Sequence, residues 1–208
     1  MGCILMVSIL HQDRNIIVCL KPVGMDSEHD LPNALGGEIF TVHRLDKNVG
    51  GLMVYACNKA TASDLSRQIQ AGEFIKEYVA LIEGCPPESG DWEDLLFKDS
   101  RKNKVFVVKR QRTGVKPARL SYWTIEGGGQ SLVRVRLHTG RSHQIRVQFS
   151  SRGYPLVGDH KYGSQSSEKD IHLFSCELRF SVGGKPYHFS ALPIWAEKNC
   201  EKTQNNSN

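Results

Sequence analysis

Apolar and polar positions alternate over short distances through most of the chain, a pattern that favours strands over helices. ILMVSIL (4–10) and NIIVCL (15–20) are β-rich runs separated by His11-Gln12-Asp13-Arg14, which predicts strand, turn, strand. Lys21-Pro22-Val23-Gly24-Met25 breaks the pattern, and the polar, Gly-containing stretch 26–40 is expected to be loop. Leu52-Met53-Val54-Tyr55-Ala56 predicts a short strand. Ala62, Leu65 and Ile69 then follow Asn58 at helical spacing, with Asn58 suited to cap that helix and Gly72 to close it. FIKEYVALIEG (74–84) is apolar on both faces and reads as a central strand, followed by a turn over 85–91. VFVV (105–108) suggests a hairpin strand, and residues 120–125 and 131–137 are further strands around Gly127-Gly128-Gly129. In the latter, Val133, Val135 and Leu137 face one way and Arg134, Arg136 and His138 the other. RSHQIRVQFSSRGYP (141–155) is read as helix, since Ile145 and Phe149 are four apart and Gly153 and Pro155 supply a stop. Two last strands flank Gly183-Gly184. Many strands, few helices and no βαβ rhythm predict an α+β fold with a largely antiparallel sheet.

Composition adds little to this and excludes some classes. At 208 residues, 39% apolar and 24% charged, the chain has the make-up of a soluble globular protein. Its net charge of +5 is compatible with an anionic partner such as nucleic acid, without requiring one. The excess is concentrated: residues 98–119 hold nine Lys and Arg against the single acidic Asp99. The six cysteines form no C-x-x-C pair and no His-linked zinc spacing, so they read as reduced thiols of a cytoplasmic protein. The apolar MGCILMVSIL start lacks a positive n-region and a cleavage site, is too short to span a bilayer, and has Met6 where myristoylation would want Ser or Thr. It is expected to be a first strand.

Asp46, in TVHRLDKNVGGLMVY (41–55), is the first candidate for chemistry. It is placed just before a predicted central strand, where loops held by rigid elements carry function. A carboxylate there can act as nucleophile, base or metal ligand, but the further ligands a metal needs are not spaced nearby. Glycoside hydrolysis would need a second carboxylate; Glu73 and Glu77 are the candidates, and Glu77 neighbours Tyr78 on the opposite face. Arg44 shares a face with Asp46 in an extended stretch and is either a surface ion pair or a contact to phosphate or a base stack. Tyr78 is either core or a ring that stacks on a base. Arg141, His143 and Arg146 form a basic surface helix or, if a helix opens after Gly140, an anion site. No P-loop, dinucleotide fingerprint or HExxH is present.

HRLD (43–46) with GGLMVYA (50–56), KEYVALIEG (76–84) and TGRSHQIRVQFSSRGYPLVGDHKYG (139–163) resemble, in order and separation, the three signature regions of RluA-type RNA pseudouridine synthases. LKPVGM (20–25) resembles the family's upstream segment, and the likeness extends over about residues 8–195. The resemblance implies a mixed, mainly antiparallel central sheet with flanking helices and an active site in a central cleft. It implies an isomerase that converts uridine to pseudouridine in RNA, with no cofactor and no metal; transfer or ribosomal RNA is the expected substrate, no membrane is expected, and the chain is expected to act as a monomer. Carried over by position, Asp46 is the catalytic aspartate, Arg44 the arginine that displaces the target nucleotide, and Tyr78 the ring on the uracil. Arg146 is the arginine paired with the carboxylate and Ile145 its apolar neighbour under the base. His43, Arg141 and Lys21 complete the expected substrate- and RNA-binding set.

The chain departs from the family pattern at Val49-Gly50, where Thr-Ser is usual. Lost hydroxyls and added backbone freedom at Gly50 predict a slower or differently specific enzyme. A single catalytic domain is expected over 1–196, with no S4-like domain before it and a polar tail over 197–208. Asp46 either attacks C1′ or removes a 2′ proton, and the sequence leaves both routes open. An RNA-binding or RNA-chaperone protein on the same scaffold is the alternative class, and an N-glycosidase a more distant one.

Overall fold

The computed structural model describes residues 7–197. The start of the predicted first strand, Cys3, Cys200 and the tail from 198 lie outside the described residues. The chain divides into two compact units, one formed by residues up to Lys76 with Phe174–Leu192, the other by Glu77–Leu173 with the segment from Pro193.

In the first unit, β1 (Ser8–Gln12) and β2 (Ile16–Lys21) form the antiparallel pair that the two opening runs predict. β2 pairs along its whole length with β4 (Gly50–Ala56), from Ile16 opposite Ala56 to Lys21 opposite Gly51. β10 (Leu173–Val182) joins β4 in parallel at Phe174 opposite Gly50 and Ser175 opposite Gly51, and β11 (Lys185–Ser190) returns antiparallel on β10. This parallel contact needs glycine at 51: its φ is +121°, and a Cβ there would run into the backbone of Ser175. α2 (Lys59–Ala71) packs Leu65 with Val18, Leu52, Val54, Leu178 and Phe180. Its ends are those the sequence marks, with Thr61 N–H donating to Asn58 Oδ1 at 2.9 Å and Gly72 left-handed at the other end.

Two short elements were not expected. α1 (Asp30–Leu35) lies within the stretch read as loop, and β3 (Phe40–Thr41) pairs with the far end of β4. α1 has one buried residue, Leu31, so it leaves no helical periodicity in the sequence.

In the second unit the strand order is β5 (Ile75–Glu83), β9 (Gln130–Leu137), β8 (Val115–Glu126), β6 (Ser89–Asp99) and β7 (Lys104–Val108), all antiparallel. β6 begins at Ser89, inside the segment read as a turn, because Gly90 and Asp91 pair with Tyr122 and Ser121 despite their turn-like character. α3 (Gln144–Ser150) forms within the predicted helical segment. Its Phe149 meets Trp92 and Tyr122 edge-on at 4.7 and 5.4 Å, and its Val147 packs with Leu96, Val105 and Ala118. The fold is α+β with a mixed, mainly antiparallel sheet, as the sequence predicts.

Candidate active site

Asp46 lies in the irregular segment 42–49 that leads into β4, and is half-buried. The segment lacks a strand partner but is pinned at successive residues. His43 Nε2 accepts the Val54 N–H of β4 at 3.2 Å. Leu45 exchanges two hydrogen bonds with Ser27: the Ser27 hydroxyl donates to Leu45 O at 2.8 Å and accepts from Leu45 N–H at 3.1 Å. Lys47 O accepts from Gly24 N–H at 2.8 Å and Lys21 Nζ at 3.2 Å. Asp46 O accepts from Val49 N–H at 2.9 Å, closing the turn into the strand. The carboxylate is thus carried on backbone fixed on both sides.

Lys21 and His43 do not face solvent. Lys21 is 2% exposed, and its ammonium also donates to Pro22 O at 2.9 Å and Met25 O at 2.8 Å. Burial pulls its amine down to about 8, against the attraction of the Asp26 and Asp46 carboxylates. Its charge therefore supports the aspartate loop from inside. His43 packs against Phe74, with ring centroids 5.7 Å apart, and burial together with the nearby Lys76 pushes it down to about 3. It is a neutral imidazole whose accepting Nε2 leaves the proton on Nδ1, a buried atom with no hydrogen-bond partner. Both residues, expected in the substrate- and RNA-binding set, are thus buried in this structure. Arg44 is exposed, with its guanidinium 2.6 Å from Glu28.

The expected backbone freedom at Gly50 is not used. Gly50 is buried within β4, its φ is not left-handed, and a Cβ there would meet Lys21 O at 3.3 Å and Val23 Cγ2 at 3.4 Å.

The second unit carries Tyr78, Arg141, Ile145 and Arg146. Tyr78 is buried on β5 opposite Val135, and its neighbour Glu77 points to the other face as expected. Burial alone would raise the Glu77 carboxyl, but hydrogen bonds from Arg136 and Arg134 hold it below the usual carboxylate range. It is ionised and no proton donor. Arg146, 5% exposed, is gripped by Asp159, with Nε to Oδ2 at 2.6 Å and Nη2 to Oδ1 at 2.9 Å. Its guanidinium lies 5.0 Å from the Tyr162 ring. The Tyr162 hydroxyl in turn accepts Val105 N–H at 2.8 Å and meets His143 Nδ1 at 2.9 Å. Ile145 is buried beside Arg146 on α3.

The anion site considered at the start of this helix is not formed. α3 opens at Gln144, three residues later than that reading requires. The Gln144 and Val147 N–H groups bond Arg141 O and His143 O, and Arg141 N–H is taken by Gln144 Oε1 at 3.0 Å. Arg141 Nε donates to Pro117 O at 2.9 Å.

Sequence reasoning gave no role to Asp159, Tyr162 or Ser27. Asp159 and Tyr162 lie inside the PLVGDHKYG block and were within reach of the resemblance. Ser27 stands in a polar stretch without any signal. Among the described residues, no group of three or more His, Cys, Asp or Glu is placed to hold a metal ion.

The model of the family described as RNA pseudouridylate synthase matches residues 15–151. An uncharacterized RNA pseudouridine synthase of Chloroflexus aurantiacus is 41% identical over 144 residues, covering 67% of this chain and 44% of that protein. The dual-specificity RNA pseudouridine synthase RluA of Escherichia coli (strain K12) is 36% identical over 174 residues, covering 75% of this chain and 77% of that one. The chain thus spans under half the length of the first relative and about three quarters of the second. The structure of human RNA pseudouridylate synthase domain containing 1 superposes with a TM-score of 0.80 at 24% identity, over 92% of this chain and 85% of that one, a likeness of fold.

Proposed function

The chain belongs to the RNA pseudouridylate synthase family, and on that premise we propose that it isomerises uridines of structured RNA, transfer or ribosomal, to pseudouridine. The observation that carries the reading is Asp46, a single half-buried carboxylate in HRLD on a loop fixed on both sides. In the reaction the N1–C1′ bond breaks, the uracil turns over, and a C5–C1′ bond forms. The C5 proton is lost to solvent and N1 takes one up, so nothing is consumed and one carboxylate suffices. Asp46 either attacks C1′ or takes the 2′ proton.

The other roles belong to the same reading. Arg44 contacts the RNA where the nucleotide leaves its stack, which costs a few kcal/mol. Tyr78 packs on the uracil and Ile145 lies under it. Arg146, held by Asp159, is the arginine assigned to the catalytic carboxylate. Arg141 remains with the RNA-binding set. Lys98, Arg101, Lys102, Lys109, Arg110, Arg112, Lys116 and Arg119 are all exposed on and beside the β6–β7 hairpin, which suits contact with phosphates. The two units act as one catalytic domain, a reading supported by the family match running through both. Action in the cytoplasm, as a monomer and without cofactor or metal, is part of the proposal.

Carbodiimide mapping of RNA from cells with and without the gene tests it. A pseudouridine that disappears on deletion and returns with wild type, but not with Asp46→Ala, identifies both activity and position. Bound RNA with no modified position anywhere would favour an RNA-binding or chaperone role.

A further inference from the structure

Ser27 is 2% exposed and is the residue that fixes the backbone immediately before Asp46. Its hydroxyl both donates to Leu45 O and accepts from Leu45 N–H, the exchange that a neighbouring strand would otherwise provide. Ser27 is itself held. Its carbonyl accepts from the Tyr55 hydroxyl of β4 at 2.7 Å, and Tyr55 is fully buried. On the other side, the Asp26 carboxylate accepts from Glu28 N–H at 2.8 Å and His29 N–H at 2.9 Å, and Asp26 O accepts from Leu31 N–H at 3.0 Å. Leu31 anchors this turn in the interior at 0% exposure. The turn 26–31 therefore presents one hydroxyl to both backbone polar groups of one residue, Leu45. Val49 and Gly50, at the entry to β4, carry no hydroxyl, and the side-chain hydrogen bonds to the Leu45 backbone come from Ser27.

We propose that Ser27 is a positioning residue for Asp46: through Leu45 it sets the direction in which the carboxylate leaves the loop. The inference rests on Asp46 being the catalytic carboxylate. Misplacing a reacting group by about 1 Å costs on the order of a hundredfold in rate, so the hydroxyl matters far beyond its share of stability.

The test compares wild type, Ser27→Ala and Ser27→Thr by tritium release from C5-labelled RNA and by amide hydrogen exchange at Leu45. Ser27→Ala is expected to lower kcat about ten- to hundredfold, to leave KM for RNA within about twofold, and to speed exchange at Leu45; Ser27→Thr, which keeps the hydroxyl, recovers most of kcat. A Ser27→Ala enzyme with wild-type kcat overturns the proposal. So does loss of exchange protection throughout the molecule, which would make the hydroxyl a determinant of folding and not of placement. If wild type releases no tritium from any RNA, the reading of Asp46 fails and this inference with it, an outcome separate from an active wild type beside an unimpaired Ser27→Ala.

Discussion

Arg146 and Asp159 face each other through two hydrogen bonds, with both side chains almost wholly shielded from water. Such a pair is weak evidence for stability but is damaging to break, because the surviving charge stays buried. Asp159→Ala is therefore predicted to destabilise the protein by about 3 kcal/mol and to abolish turnover. The double variant Arg146→Met/Asp159→Leu, with both charges gone, is predicted to regain most of the stability and none of the activity. Urea unfolding alongside a turnover assay separates the two effects.

His43 gives the fold a defined sensitivity to acid. Its pKa is about 3 when folded, against 6.5 for the free side chain. Between those values the unfolded chain binds a proton that the folded one does not. The contribution is complete above about 6.5 and is lost as the pH falls towards 3, at no more than about 1.4 kcal/mol per pH unit. His43→Gln keeps an acceptor for the Val54 N–H and removes the titration. Its unfolding free energy should fall less steeply than that of wild type between pH 6.5 and 4.5.

The sequence reading and the structure part at particular residues, for physical reasons. The strands are legible because their apolar residues alternate over four to eight positions, as at Val133, Val135 and Leu137 with Arg134 and Arg136 between them. α2 is legible because Asn58 and Gly72 mark its ends. α1 is not, having only Leu31 to bury. At the site, the resemblance points to candidate residues but not to which way they face. Lys21 and His43 belong to matched blocks and read as contacts, yet folding turns both inward, which only the tertiary arrangement decides. Ser27 contributes through its place in a turn, a relation that leaves no periodicity or motif behind.

Lys21 offers a direct check of that inward turn. Lys21→Met leaves the Pro22, Met25 and Lys47 carbonyls without their shared donor, and is predicted to cost about 1–3 kcal/mol of stability and most of the turnover. RNA affinity, measured by filter binding below the melting temperature, is predicted to stay within about threefold. A large loss of affinity with stability intact would make Lys21 an RNA contact.

The hairpin cations are expected to behave in the opposite way. Replacing Arg101, Lys102, Arg110 and Arg112 by Gln removes exposed charges and should weaken RNA binding while leaving turnover at saturating RNA unchanged. The slope of log affinity against log salt should flatten by about 0.7–0.9 for each phosphate that the variant no longer neutralises. An unchanged slope would place the RNA elsewhere.

The central claim is that Asp46 drives isomerisation of uridine in RNA. Transfer and ribosomal RNA transcripts labelled with tritium at C5 of uridine, each incubated separately with wild type and with Asp46→Ala, test it most directly. Tritium released to water by the wild type alone, from at least one of the two pools and with no free uracil formed, is the predicted result. Equal release by both proteins, or RNA bound tightly by the wild type with its tritium retained in both pools, would contradict it.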